Sequence, residues 1–296
     1  MNASPEHARY RLVDFGRGRK LEQFGPWLLD RPCPAATGPP ASPRVWSRAT
    51  ARFAGPRTGS GAWSPSPSDW RPAAVELDFE PVAGRRFALA LEPLPSGQLG
   101  LFPEQQANWA WIARQAVAAG AARGAAPKVL NLFAYTGGST LAAALAGAEV
   151  CHVDAARSVV ARARRNAQRA AAGLPVRWLV EDALRFCRRE VQRGQRYDAV
   201  ILDPPSFGRG PRGEAWAIGR DLPRLLDLCG QLTGGCPAFA LASCHTPGIE
   251  AGALAAALRV GLPPRGGTPE VACGDLTLVA DDGRLLPSGC FARWPA

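Results

Sequence analysis

Residues 128–154, KVLNLFAYTGGSTLAAALAGAEVCHVD, restrict the fold of this chain more than any other stretch. The apolar run at 129–133 has the length and composition of a buried strand. A turn follows, Ala134-Tyr135-Thr136-Gly137-Gly138, and an Ala/Leu-rich helix is expected over 139–146, with Gly147 placed to stop it. A second apolar run, 149–153, ends on Asp154. Strand, glycine turn, helix and strand in this order build a doubly wound α/β sheet, in which ligands bind beyond the carboxyl ends of the strands. The glycines would let the backbone come close to a ligand, and the helix N-terminus would offer it N–H groups. Asp154, some 17 residues past Gly137, could accept both hydroxyls of a ribose.

A dinucleotide needs G-x-G-x-x-G to admit its pyrophosphate. That pattern is absent, and there is no phosphate-loop lysine; the turn carries one Gly-Gly pair with Asn131 and Tyr135. A nucleoside cofactor without phosphates, S-adenosylmethionine, fits better. The blander alternative is a turn whose glycine serves geometry alone.

The 296 residues suit one large or two modest domains, and 47% hydrophobic residues are ample for a core. Net charge is +10, nearly all of the basic charge being arginine; Lys20 and Lys128 are the only lysines. A basic surface favours polyanions, and arginine both stacks on bases and forks onto phosphate. The eight cysteines show no C-x-x-C and no metal-like spacing with histidine, so no metal is expected. The start, MNASPEHARY, has no apolar leader, which points to a cytoplasmic protein with reduced thiols. Residues 129–148 carry no charge, but Asn131, Tyr135, Thr136 and the glycines interrupt them, which argues against a membrane span.

Residues 9–30 alternate apolar and polar positions around a hairpin tip at Arg17-Gly18-Arg19-Lys20. Residues 31–72 are rich in Pro, Ser and Gly but contain Trp46, Phe53, Trp63 and Trp70, so irregular structure pinned by tryptophans is expected. Strands are expected at 75–79 and 87–92. Residues 1–95 therefore form a small β-rich domain and 96–296 a larger α/β domain. In the latter, a helix begins near Gln106 with Trp109, Ile112, Ala113 and Ala116 on its core face. An arginine-rich helix follows at 155–172, its arginines facing solvent, then a strand at 176–180 and a helix through Phe186. A strand at 197–202 leads into the loop GRGPRG at 208–213, a helix near 221–229, a strand at 238–242 and a helix near 250–260. Two further strands close the sheet.

Three acids end three successive strands: Asp154, Asp182 and Asp203. Strand ends on one sheet edge cluster in space. Asp154 would take the ribose, and Asp182 would face the adenine amino group, with Leu184 or Phe186 near the ring. Each could instead be a helix N-cap, Asp182 before ALRF especially. In Asp203-Pro204-Pro205-Ser206-Phe207 the two prolines stiffen the loop and would hold Asp203 at the transferred methyl group, while Phe207 could stack on a base. Cys244, expected just after the fifth strand, could attack C6 of a pyrimidine and make C5 nucleophilic; it could equally be a buried core cysteine.

VLNLFAYTGG, the helix with Asn166, YDAVILDPPSF and LASCH together resemble the class I methyltransferases of the ribosomal RNA large subunit methyltransferase I type, which act on cytosine C5. SGQLGLFPEQQ is similar to the family segment preceding the cofactor fold, and Arg220-Asp221 to a basic–acidic pair before strand five. The likeness covers about residues 75–296. It implies a Rossmann-like, seven-stranded sheet with an antiparallel closing pair. The implied cofactor shell for S-adenosyl-L-methionine is Asn131, Phe133, Tyr135, Thr136, Gly137, Gly138, Asp154, Asp182, Ala183 and Asp203. Cys244, Asp203, Pro204 and Pro205 would be catalytic, Phe207, Gln105 and Arg220 would contact substrate, and ribosomal RNA would be the partner. The chain departs from the family in three ways: no room for an N-terminal PUA module, Ser243-Cys244-His245 in place of Ser-Cys-Ser, and a Gly-rich loop after Phe207. Arg17, Arg19, Lys20, Arg85 and Arg86 are then expected to supply the missing RNA contact. Alternatives in mechanism and class are methylation of a base nitrogen with Cys244 as bystander, methylation of a small molecule, and a non-catalytic RNA-binding protein.

Overall fold

The computed structural model describes residues 10–55, 60–70, 76–262 and 270–295. Arg9 and Val75, expected to open strands, and the first eight residues lie outside the described residues, and the masked residues within 31–72 are not described. The chain divides into two compact units, one of Met1–Phe79, Ala88–Gln105 and Thr277–Ser288, the other of Glu80–Phe87, Gln106–Leu276 and Gly289–Ala296. The first unit thus takes the tip of the last hairpin, and the second takes Glu80–Phe87.

The N-terminal unit is built on a five-stranded sheet, β1 (Tyr10–Gly16), β2 (Arg19–Phe24), β3 (Trp27–Pro32), β4 (Ala51–Ala54) and β5 (Ala62–Ser64), in sequence order. The hairpin tip falls at Arg17-Gly18, as the alternation requires. Both residues have positive φ, 52° and 74°, and Gly16 pairs with Arg19, which defines a two-residue type I′ turn. The stretch expected to be irregular contributes two strands: β3 pairs in parallel with β4, and β4 antiparallel with β5. Short strands separated by proline-rich chain give no periodic signal, which is why they were not legible. Two of its tryptophans do pin it. Trp46 Nε1 donates to Asp14 Oδ2 at 2.8 Å, and Trp63 Nε1 to the Leu94 carbonyl at 3.0 Å. A four-residue helix, α1 (Pro67–Trp70), precedes the hairpin of β6 (Glu76–Val82) and β7 (Arg85–Ala90).

The second unit begins with α2 (Gln106–Arg123), whose Trp109, Ile112, Ala113 and Ala116 are buried as expected. Then come β8 (Lys128–Leu132), α3 (Gly138–Leu145), β9 (Glu149–Asp154), α4 (Arg157–Ala170), β10 (Val176–Val180), α5 (Ala183–Gln192) and β11 (Ala199–Leu202). A short hairpin, β12 (Phe207–Arg209) and β13 (Ala215–Ala217), occupies the segment expected to be loop. α6 (Ile218–Leu232), β14 (Phe239–Cys244), α7 (Ala251–Gly261), β15 (Ala272–Val279) and β16 (Leu285–Trp294) complete it. The seven-stranded order is β10-β9-β8-β11-β14-β16-β15, parallel from β10 to β14, with β16 antiparallel to β14.

Strand parity sorts the core into two layers. Leu130, Leu132, Val200, Leu202, Ala240, Ala242 and Cys244 share one apolar cluster with α5, α6 and α7. On the other face Trp111 of α2 meets Phe239 edge-on at 5.8 Å, and Asn131 meets Thr140 of α3. β11 and β14 are buried at every residue, as strands covered on both faces must be. The strand order reverses between β8 and β11, so a crevice opens beyond their carboxyl ends.

Candidate active site

The turn after β8 is the most strained part of this edge. Phe133 and Tyr135 have φ of 55° and 47°, and Gly137, at the N-cap of α3, has φ of 96°. A left-handed non-glycine residue costs on the order of 1–2 kcal/mol, so surrounding bonds must hold the turn. Ala134 N donates to the Val153 carbonyl at 3.1 Å, Tyr135 N to Asp154 Oδ2 at 3.0 Å, and Asn166 Nδ2 to the Thr136 carbonyl at 3.0 Å. Asn166 in the arginine-rich helix is thus a brace for the turn. Beneath it lies a buried polar chain: Asn131 Nδ2 donates to Thr140 Oγ1 at 2.9 Å, which lies 2.9 Å from His152 Nδ1. Asn131, expected at the cofactor, is 2% exposed and spends its amide on this chain.

Both glycines are packed closely against neighbouring helices. A Cβ on Gly138 would stand 2.5 Å from the Trp109 indole, and one on Gly137 3.3 Å from Ala163 Cβ. The space a side chain would need is already filled by α2 and α4. Gly137 has no side chain to cap α3, so the first N–H groups of that helix face the crevice end.

Asp154 closes β9. Its Oδ2 accepts from Tyr135 N and its Oδ1 from Ala156 N at 2.9 Å. Burial raises its pKa, partly offset by these N–H donors. A carboxylate has about four acceptor sites, so two amide bonds leave capacity for vicinal hydroxyls. Asp182 is the N-cap of α5, with Oδ1 accepting from Arg185 N at 2.9 Å. Burial raises its pKa too, against the Arg185 amide, with Glu214 and Glu181 adding to the rise. Ala183, buried, is the first residue of that helix. Gly210 of the β12–β13 hairpin lies so close that a Cβ there would stand 3.1 Å from Asp182 Cβ.

The loop after β11 is fixed on both sides. Ser243 Oγ donates to Asp203 Oδ1 at 2.7 Å, and His245 Nε2 lies 3.6 Å from the same oxygen. Pro204 is buried and Pro205 exposed, with the Pro205 carbonyl accepting from Trp216 Nε1 at 2.7 Å. Ser206 Oγ is 2.7 Å from Thr246 Oγ1, and the Ser206 carbonyl accepts from Ile218 N at 3.0 Å. Trp216 packs on Phe133 at 4.8 Å, which joins the β8 turn to this loop. Phe207, by contrast, is 80% exposed.

Several of the expected site residues are engaged in other contacts. Cys244 does not follow β14; it is its last residue, 1% exposed, in the apolar cluster opposite Cys290, with Sγ accepting from Thr246 N at 3.4 Å. Neighbouring residues on a strand point to opposite faces, so Ser243 rather than Cys244 shares a side with Asp203. Arg220 places its guanidinium on Asp221, at 2.9 and 2.6 Å, and on the Ala215 carbonyl at 2.6 Å. It clamps the start of α6, and its hydrogen bonds hold the buried Asp221 carboxyl down at about 2. Gln105 is buried in the N-terminal unit. Of the five cations expected to bind RNA, Arg19 is committed to Asp30 Oδ1 at 2.5 Å and the Phe53 carbonyl at 2.9 Å, and Lys20 to Glu22 at 2.9 Å. Arg85 donates to the Leu145 carbonyl and Arg86 pairs with Glu80 at 2.8 Å. Only Arg17 of the five is exposed without a partner among the described residues.

Sequence reasoning missed Ser243 and Trp216, and it placed Trp109 in the core without linking it to the turn. Strand parity could have found Ser243 had β14 been extended to Cys244. The tryptophans bind the site through tertiary packing and left no local signal.

A parallel sheet with its switch point at β8/β11, an acid after each of β9, β10 and β11, and a braced left-handed turn defines a Rossmann-like nucleoside-cofactor transferase. The chain belongs to the S-adenosylmethionine-dependent methyltransferase family, whose profile matches residues 78–255. Its methyl donor is S-adenosyl-L-methionine, and the acceptors at Asp154 and Asp182 and the open end of α3 suit a ribose, an adenine amine and a carboxylate. The SAM-dependent methyltransferase from Agrobacterium tumefaciens is 34% identical and superposes with a TM-score of 0.84 over 99% of this chain and 92% of its own. A candidate methyltransferase from Streptococcus mutans has the same fold, with a TM-score of 0.71 at 16% identity over 97% of this chain and 75% of its own. Ribosomal RNA large subunit methyltransferase I from Aeromonas salmonicida is 36% identical over 86 residues, 28% of this chain. Methyltransferase K/L from Shewanella sp. strain MR-4 is 34% identical over 105 residues, 34% of this chain. The matched stretches span only 21% and 15% of those two proteins. Among the described residues no helix is long and apolar enough to cross a membrane.

Proposed function

We propose that this enzyme methylates a nucleobase of large-subunit ribosomal RNA, and that the methyl group goes directly to a base nitrogen. The observation that carries this reading is the contrast at the sheet edge. Asp203 is held in place by Ser243 and flanked by the exposed Phe207, whereas Cys244 is sealed in the apolar layer. The bound cofactor supplies an electrophilic methyl on a sulfonium. The chain's own task is then to seat the base and relieve it of a proton. Phe207 offers a stacking surface of the kind worth about 1–3 kcal/mol per base. Asp203 can accept a hydrogen bond from an exocyclic or ring N–H and draw the nitrogen lone pair into line. The two prolines and the Trp216 bond to Pro205 keep the loop from yielding during transfer.

A second reading, cytosine C5 methylation through Cys244, is favoured by one observation: the thiol ends the strand next to β11 and receives an N–H from Thr246. It requires the thiol to leave the cluster it shares with Cys290. RNA containing 5-fluorocytosine separates the two, because a C5 substituent that cannot leave traps a cysteine adduct. Direct nitrogen transfer predicts no adduct and full activity in Cys244→Ala. An adduct that maps to Cys244, with activity lost in Cys244→Ala, would establish the covalent route.

A further inference from the structure

The N-terminal unit carries a pocket of about 470 Å³ that the methyl-transfer chemistry does not use. Its walls include Arg17, Arg19, Asp30, Trp46, Ser47 and Arg52. Among the described residues Asp30 is the only carboxylate lining it, and Arg19 neutralises that group at 2.5 Å while Arg52 reaches it at 3.4 Å. The pocket is therefore left with a positive balance. The Arg52 side chain is 61% exposed, and Arg17 stands exposed at the rim with no ion pair among the described residues.

Two features show that this arrangement is built rather than incidental. Arg17 occupies the first central position of a type I′ turn at φ 52°, a place that favours Asn, Asp or Gly. The turn is locked in that state: Arg17 N donates to the Gly38 carbonyl and Gly18 N to the Ala36 carbonyl, both at 2.8 Å. Trp46 is likewise fixed, its Nε1 tied to Asp14 Oδ2. A rigid indole, a hydroxyl and two available guanidinium groups match a base, a sugar and a phosphodiester. The volume lies within the range of small-molecule sites and admits one nucleotide.

We infer that this pocket captures one nucleotide of single-stranded RNA, with the phosphate on Arg17 and Arg52 and the base against Trp46. The inference rests on the reading of the enzyme as an RNA methyltransferase. It gives the N-terminal unit the task of gripping a nucleotide other than the one methylated.

The test is fluorescence anisotropy of a labelled single-stranded RNA octamer with the full chain, for wild type, Arg17→Asn, Arg52→Ala and the double variant. The double variant should bind at least about tenfold more weakly, and the slope of log affinity against log salt should flatten by roughly 0.7, the contribution of one phosphate contact in single strands. AMP should compete with the octamer better than inorganic phosphate at equal ionic strength. Arg17→Asn should melt no lower than wild type, because Asn suits the turn, yet still bind less RNA; a merely structural arginine would not give that combination. Octamer affinity unchanged in the double variant, or no octamer binding by wild type, overturns the assignment. Methyl incorporation into ribosomal RNA is followed in parallel. Wild-type incorporation with an unchanged KM in the double variant sinks the pocket alone, whereas absence of incorporation by wild type sinks the RNA-methyltransferase reading.

Discussion

His152 makes the fold beneath the cofactor turn sensitive to acid. Its side chain is fully buried, stacked on Trp178 at 4.7 Å and bonded through Nδ1 to Thr140. Thr140 Oγ1 accepts from Asn131 and shares a hydrogen bond with Nδ1, and burial keeps the imidazole neutral. Its Nε2 has no partner among the described residues. Burial, and secondarily the charge of Arg164, bring its pKa down from 6.5 to about 3. A histidine with a depressed folded pKa takes up its proton in the unfolded chain first. Stability therefore falls as pH drops below 6.5 and goes on falling to about 3. At about 1.4 kcal/mol per pH unit, the group contributes a loss of roughly 2 kcal/mol between pH 6.5 and pH 5. Urea unfolding of wild type and His152→Asn at several pH values isolates it, because the carboxylates titrate in both proteins. Wild type should lose about 2 kcal/mol more than the variant over that interval. Parallel stability curves for the two would refute the assigned neutral state.

Other consequences are equally measurable. Gly138→Ala drives a methyl into the Trp109 ring and should cost about 1–3 kcal/mol in denaturant unfolding. Arg19→Ala strips Asp30, whose side chain is 8% exposed, of its nearest cation and should destabilise by about 2–3 kcal/mol, whereas Arg17→Ala should shift stability by less than about 0.5 kcal/mol. Phe207→Ala should raise the KM for RNA by roughly 5- to 150-fold, from about 1–3 kcal/mol of lost stacking, with cofactor affinity by calorimetry unchanged.

The α/β framework was legible because each parallel strand is a short apolar run closed by an acid, a glycine or a proline. β8, α3, β9 and β10 fall within a residue of where the pattern puts them. What the linear pattern could not carry was partnership. Arg19 and Arg17 look alike in sequence, yet one is half-buried and paired with Asp30 and the other is exposed. The Gly137-Gly138 pair reads as a ligand approach, but the residues that fill its space, Trp109 and Ala163, come from α2 and α4. Asp182, expected at the adenine with an N-cap as the alternative, does cap α5, a local bond between residues three apart that sequence can carry. Cys244 turned on a two-residue difference in where β14 ends, and with period-2 geometry that decides which face the thiol occupies.

The most direct test of the account is to supply the full chain with S-adenosylmethionine bearing a tritiated methyl group and with large-subunit ribosomal RNA, then digest the RNA to nucleosides and locate the label by mass. The account predicts a single methylated base carrying the methyl on nitrogen, formed by wild type and by Cys244→Ala and lost in a folded Asp154→Ala. RNA that stays unlabelled, or label on cytosine C5 that disappears with Cys244, would contradict it.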